Sequence, residues 1–180
     1  SAAQIRLRAN RLGITGQGMF LIGETNLQAA LTWMDERVPA AVVVDSIQTM
    51  YSDVLSYGPG RVDQASECTR LFLRWAKTHN TPVFLAGHVT KDGDVAGPRV
   101  LEHMVDVVLS MEGEALGPLR VLRSVKNRFG STNEVALLQM EGEGLEEIAD
   151  PSLALMSRRQ GQLVGSSLVP ILEGTRPLLV

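Results

Sequence analysis

Ala41-Val42-Val43-Val44-Asp45 decides the fold: four apolar residues closed by a carboxylate. Three of the four are β-branched, and so short an apolar run suits a strand buried on both faces, as in parallel sheets covered by helices on each side. Working outward, Pro39 stops a helix whose apolar face is Leu27, Ala30, Leu31 and Met34. Thr25, with Gln28 three residues later, has the form of a capping box at its start. Before it, Met19-Phe20-Leu21-Ile22 reads as a short strand, and Ile5, Ala9 and Leu12 mark a first helix ended by Gly13. In the other direction, residues 47 to 60 lack a period and hold Tyr51, Tyr57 and the turn-forming Gly58-Pro59-Gly60. Val62, Ala65, Cys68, Phe72, Trp75 and Ala76 then recur at helical spacing. Pro82-Val83-Phe84-Leu85-Ala86-Gly87 is another apolar strand, followed by a polar, glycine-rich stretch to Gly97 and a short helix near Leu101.

Short apolar strands alternating with helices predict an α/β fold with a mostly parallel sheet flanked by helices. The period then changes. Val105 to Met111, Leu119 to Val125 and Val135 to Met140 are strands with no helix between them, which predicts an antiparallel C-terminal extension. A brief helix is expected after Asp150-Pro151-Ser152, and the segment Ser166 to Leu172 leads into the turn Gly174-Thr175-Arg176-Pro177.

The chain has 180 residues, 44% of them hydrophobic and 21% charged, and no apolar run approaches the roughly 20 residues that cross a bilayer. A single cysteine, Cys68, excludes an internal disulfide, and the N-terminus has no signal-peptide pattern, so a cytoplasmic setting without membrane contact is expected. The net charge of −3 gives no overall field for a polyanion. Charge is nevertheless uneven: Arg120, Arg123, Lys126 and Arg128 share an acid-free stretch, and Glu141, Glu143, Glu146, Glu147 and Asp150 follow. The uncapped first helix, the missing initiator methionine and Arg176 to Val180, which reads as a strand cut off as it begins, together suggest a piece of a longer protein.

Four groups of residues are candidates for chemistry. Asp45 stands where open α/β sheets bind ligands, at the C-terminal end of a strand; in P-loop enzymes that carboxylate holds Mg²⁺ on the nucleotide phosphates. The alternative is a structural aspartate that caps the next segment. Ser46 either shares the contact to the cofactor or merely ends the strand. His88 closes the next strand and can sense phosphate beside Asp45, or is a surface histidine. Lys91 and Arg99 lie in a polar stretch able to meet DNA phosphates, although Asp92 and Asp94 oppose that charge. Lys126 and Arg128, two apart at a strand end, suit an anion and can act across a subunit boundary on transferring phosphate, or form a solvated strand end with Phe129 as a core anchor. His79, His103 and Cys68 support no zinc site. No G-x-x-x-x-G-K-[ST] occurs, so the loop that cradles β- and γ-phosphates is not in this sequence.

Val42 to Met50, Gly87-His88-Val89-Thr90-Lys91, Ala96 to Asp106 and Lys126-Asn127-Arg128-Phe129-Gly130-Ser131-Thr132-Asn133-Glu134 occur in an order that resembles the bacterial RadA family, also called Sms. The likeness runs through nearly the whole chain, and residues 126 to 130 are its most specific element. It implies a RecA-like, DNA-dependent ATPase that promotes branch migration in recombination and repair, with an N-terminal zinc finger, an ATPase core and a Lon-protease-like domain. By that resemblance residues 1–160 are the core without its Walker A loop, and 161–180 are the linker and first strands of the Lon-like domain. Asp45 becomes the Walker B residue, with His88 in the place of the phosphate-sensing glutamine. Residues 51 to 64 and 90 to 99 become DNA-facing loops, with Tyr51, Arg61, Lys91 and Arg99 as DNA-binding candidates. Lys126 and Arg128 approach nucleotide or DNA near a subunit interface.

The same likeness implies ATP and Mg²⁺ as cofactors, with zinc in the finger. The implied partners are single-stranded or branched DNA, RecA recombinase and further copies in a hexameric ring. The finger's cysteines, the Walker A loop and most of the Lon-like domain are not in this sequence, so the chain alone is expected to hydrolyse no ATP. The alternatives are a non-catalytic DNA-binding module and a ring-assembly piece.

Overall fold

The computed structural model describes residues 2–88, 98–113, 117–149, 169–173 and 176–179. Its elements run α1 (Ala2–Arg11), α2 (Leu27–Arg37), β1 (Val42–Asp45), a 3-10 turn (Ile47–Thr49), α3 (Val62–His79), β2 (Val83–Ala86) and α4 (Pro98–Met104). There follow β3 (Val107–Gly113), β4 (Leu119–Asn127), β5 (Val135–Glu141), β6 (Gly144–Glu147), β7 (Pro170–Glu173) and β8 (Arg176–Leu179). The chain divides into two units, Ser1–Ala9 with Thr15–Val105 and Asn10–Ile14 with Asp106–Val180. Among the described residues no helix is long and apolar enough to cross a membrane.

In the first unit, β1 and β2 pair in parallel with Val42 opposite Val83 and Asp45 opposite Ala86. Helix α3 supplies most of the core: Ala65, Cys68, Leu71, Phe72 and Trp75 are buried on one face, with Leu27 and Met34 of α2 and with Ile47 and Met50. Phe72 is 1% exposed, and its truncation to alanine costs about 3–5 kcal/mol. Val42, Val44, Val83 and Leu85 pack against this core, whereas Val43 and Phe84 point the other way and are exposed. Burial of β1 on both faces, expected from its apolar run, is therefore not met among the described residues. Residues of α2, α3 and α4 all join the same core, which covers one face of the pair.

Two further local expectations are corrected. Met19 to Ile22 forms no strand and its side chains are exposed. An apolar run becomes a strand only when a neighbour completes its ladder, and the nearest pairing is an isolated bridge between Asn26 and Tyr51. Helix α2 is capped by Asn26, not by a Thr25–Gln28 box: the Asn26 side chain accepts from the Ala29 N–H at 3.0 Å. Asparagine is at least as good a cap as threonine, and Gln28 is engaged elsewhere, its amide donating to Ser52 Oγ at 2.8 Å. The helix ends at Arg37, with Val38 left-handed before Pro39.

The second unit contains the antiparallel sheet β3-β4-β5-β6. A register shift between Val108 and Leu109 places a bulge against β4, and a hairpin with Gly144 at φ +134° joins β5 to β6. Strands β7 and β8 pair antiparallel, from Pro170 opposite Leu179 to Glu173 opposite Arg176. The expected helix after Asp150 and the turn residues Gly174 and Thr175 lie outside the described residues.

Candidate functional site

Parallel pairing carries both strands of the first unit to a common end. Asp45 is the last residue of β1 and lies opposite Ala86, the last of β2, and His88 follows two residues later. Asp45 and His88 are exposed. Among the described residues no hydrogen bond or ion pair occupies the Asp45 carboxylate, so it caps nothing there. Ser46 is buried, joined to Asp45 by a cis peptide, and its carbonyl starts the 3-10 turn by accepting from the Thr49 N–H at 3.1 Å and the Thr49 hydroxyl at 2.8 Å. Among the described residues no cluster of three or more His, Cys, Asp or Glu is arranged to hold a metal. A lone exposed carboxylate suits Mg²⁺, which commonly takes one or two carboxylates and completes its shell with phosphate and water.

The loop between this turn and α3 is held from beneath. Gln64 is wholly buried; its Oε1 accepts from the Ser52 N–H at 2.8 Å, and its Nε2 donates to the Ser52 carbonyl at 3.3 Å and to the Tyr57 carbonyl. Asn26 Nδ2 donates to Asp53 Oδ2 at 2.7 Å. Tyr51 is half-buried in the bridge to Asn26, with its carbonyl accepting from the Leu27 N–H at 2.9 Å. Arg61 is exposed, its guanidinium 4.8 Å from the centre of the Tyr57 ring. Tyr57, 53% exposed, is thus the open aromatic of this loop, and its place beside Gly58-Pro59-Gly60 is the sequence signal for it. Lys91 and the side chain of Arg99 lie outside the described residues; the Arg99 backbone belongs to α4.

The basic cluster belongs to the second unit and is partly self-neutralised. Arg120 folds onto its own strand, donating to the Gly117 and Leu119 carbonyls at 2.7 Å each. Arg123 Nε lies 4.0 Å from Glu112. Lys126 is half-buried within β4 opposite Val108. Strand β4 ends at Asn127, so its pleat does not aim Arg128. Asp106 does: Arg128 Nη1 donates to Asp106 Oδ1 at 2.9 Å, and the Arg128 N–H donates to the Asp106 carbonyl at 3.1 Å. Phe129 is 80% exposed and is no core anchor; its N–H donates to the Asn127 side chain at 3.0 Å, a turn bond that throws the ring outward.

Among the described residues, Cys68, Glu67 and Arg70 have shifted acidity. Burial pushes the Cys68 thiol up to about 11, with help from the nearby Glu67 charge, so it is a core residue and no nucleophile at neutral pH. The hydrogen bond from Arg70 holds the Glu67 carboxyl below the usual range against the opposing effect of burial. His79 stacks on Trp75 near the end of α3, and the Trp75 indole N–H donates to Asp35 at 2.6 Å. Residue-by-residue reading of the sequence assigns no role to Gln48 or Asp106, because neither residue type stands out before its hydrogen bonds are seen.

No family model matches the chain. It is 48% identical to the DNA repair protein RadA of Bacillus subtilis (strain 168) over 180 residues, 100% of this chain and 39% of that protein. Identity to the DNA repair protein RadA of Listeria monocytogenes is likewise 48% over 180 residues, covering 39% of that relative. For Streptococcus pneumoniae RadA it is 47% over 179 residues, 99% of this chain and 43% of the relative. The chain thus spans about two fifths of the length of these relatives. Among solved structures, the RadB recombinase matches with a TM-score of 0.54 and 20% identity, over 82% of this chain and 74% of that one. A second solved structure, an ATPase domain, matches at 0.58 with 13% identity, over 72% of this chain and 54% of that one. At such identities the structural likeness speaks for the fold alone: an α/β core with parallel and antiparallel strands and flanking helices.

Proposed function

Because this chain belongs to the bacterial RadA family, which it matches along its whole length, we propose that it forms part of a DNA-dependent ATPase core serving recombination and DNA repair. In the full-length protein the reaction is hydrolysis of ATP to ADP and phosphate, coupled to branch migration on single-stranded or branched DNA. The observation that most supports this reading is the shared exit of Asp45 and His88 from a parallel strand pair, with the Asp45 carboxylate unengaged among the described residues.

Asp45 and buried Ser46 are the residues of this chain to hold Mg²⁺-ATP at its metal end. Held there, Mg²⁺ would supply charge stabilisation to the phosphate oxygens. His88 stands beside the place of the γ-phosphate and reports its presence to the chain that follows. Lys126 and Arg128 offer positive charge to the phosphates or to DNA from a neighbouring copy, and Asp106 sets the direction of Arg128. Tyr57 and Arg61, on a loop braced by Gln64, meet DNA together with Lys91 and Arg99, and Tyr51 supports the base of that loop. The phosphate-cradling loop is not in this sequence, so these 180 residues alone hydrolyse no ATP.

This reading includes residues 1–160 as the ATPase core and 161–180 as the lead-in to a Lon-like domain. It also includes a zinc finger elsewhere in the full-length protein, a hexameric ring and cooperation with RecA recombinase. The test is DNA-stimulated ATP hydrolysis by the full-length protein carrying Asp45→Asn or Lys126→Ala. Turnover should fall by about 100-fold or more for Asp45→Asn, the scale on which transition-state charge stabilisation is lost, and substantially for Lys126→Ala. Near-normal turnover in both variants overturns the proposal.

A further inference from the structure

We propose that Gln48 is a positioning residue that couples the strand end bearing Asp45 and His88 to the 51–60 loop, so that DNA at the loop changes the rate of ATP turnover. The inference rests on the function proposed above. Gln48 lies on the 3-10 turn three residues past Asp45. Its neighbours Ile47 and Met50 are 1% and 4% exposed, which pins the turn to the core. From that fixed position the Gln48 side-chain amide donates to the His88 carbonyl at 3.3 Å. Its backbone carbonyl accepts from the Gly60 N–H at 3.1 Å.

One residue thus holds the exit of β2 through its side chain and the far end of the loop through its backbone. Gly60 has φ +87°, a conformation L side chains rarely adopt, so the loop contact falls where glycine is favoured. The Gln48 Oε1 is buried and has no hydrogen-bond partner among the described residues, so there the side chain is held through its nitrogen. A shift of the His88 carbonyl is therefore felt at Gln48, and a pull on Gly60 reaches the same residue from the loop. Coupling between two sites requires an element that both of them bias, and Gln48 touches both, one through its side chain and the other through its backbone.

The experiment measures steady-state ATP hydrolysis by the full-length protein with and without single-stranded DNA, for Gln48→Ala and Gln48→Glu. Glutamate keeps the shape but replaces the donor to His88 with an acceptor, so it decides the matter should the alanine variant fold poorly. The ratio of DNA-stimulated to DNA-free turnover should fall about fivefold or more in both variants, within the range of ordinary coupling energies. DNA-free turnover and melting temperature should stay near those of the parent. A stimulation ratio that survives in Gln48→Glu overturns the inference, as does an equal fall of both rates, which marks a merely structural role. Asp45→Asn measured alongside separates the two levels: if it keeps its turnover, the underlying functional reading fails. If it loses turnover while the Gln48 variants retain stimulation, only the coupling fails.

Discussion

Replacing Gln64 with leucine should loosen the 51–60 loop while leaving α3 in place. Gln64 and Ser52 are both wholly buried, and two of the three hydrogen bonds of Gln64 join it to the Ser52 backbone, one accepted and one donated. Leucine fits the volume but pairs neither group: the Ser52 carbonyl keeps the Leu55 N–H at 3.3 Å, while the buried Ser52 N–H is left without a partner. Such a group costs about 1–3 kcal/mol. The Tyr57 carbonyl, on an exposed residue, recovers its bond from water. The expected net cost is about 1–2 kcal/mol, because leucine also relieves the burial of a polar side chain. At 1.4 kcal/mol per decade, local opening at Ser52 rises roughly 5- to 30-fold. Amide hydrogen exchange of the full-length protein reads this directly as accelerated exchange across 52–57 with slow exchange retained in the centre of α3. DNA affinity should weaken in parallel, since Tyr57 and Arg61 lose their fixed base. Exchange at Ser52 within about threefold of the parent, with an unchanged denaturation midpoint, refutes the reasoning.

Asn26→Ala removes both the cap on α2 and the bond to Asp53; a loss of about 1–2 kcal/mol is expected in denaturant melts, and no measurable loss contradicts the cap. Burial pushes the Cys68 thiol pKa up from 9.0 to about 11, so it should resist alkylation at pH 8 until the protein is unfolded. The sign of its pH effect follows: the unfolded thiol ionises first, so its contribution to stability is full below pH 9 and is lost as pH rises towards about 11. Melting temperatures across that window, compared with Cys68→Ala, test this. Asp106→Asn should change stability by less than about 1 kcal/mol because the Arg128 pair is partly exposed. ATP turnover should nevertheless fall as Arg128 loses its direction, and unaltered turnover contradicts that role.

The parallel pair, α3 and the antiparallel strands were legible because each has a clean period and a clear stop. Val42 to Asp45 and the face of α3 from Ala65 to Trp75 carry that signal, and β4 and β5 are short runs with no helix between them. Met19 to Ile22 misled because composition reports the tendency to pair and says nothing of a neighbour. The capping box misled because Thr25, Asn26 and Gln28 all qualify chemically, and only the competing bond from Gln28 to Ser52 settles which side chain caps. The position of Asp45 was readable, since a carboxylate closing an apolar strand has few places to go. The partners of Arg128 and Gln48 were not, because their bonds reach Asp106 and His88, 22 and 40 residues away in sequence.

The central claim is that Asp45 meets nucleotide through magnesium. Titrating a fluorescent ATP analogue into the full-length protein, with Mg²⁺ and with a chelator in its place, tests this without needing turnover. Mg²⁺ should tighten binding in the parent, and in Asp45→Asn that gain should vanish while the metal-free affinity stays as it was. An undiminished gain from Mg²⁺ in the variant would contradict the account.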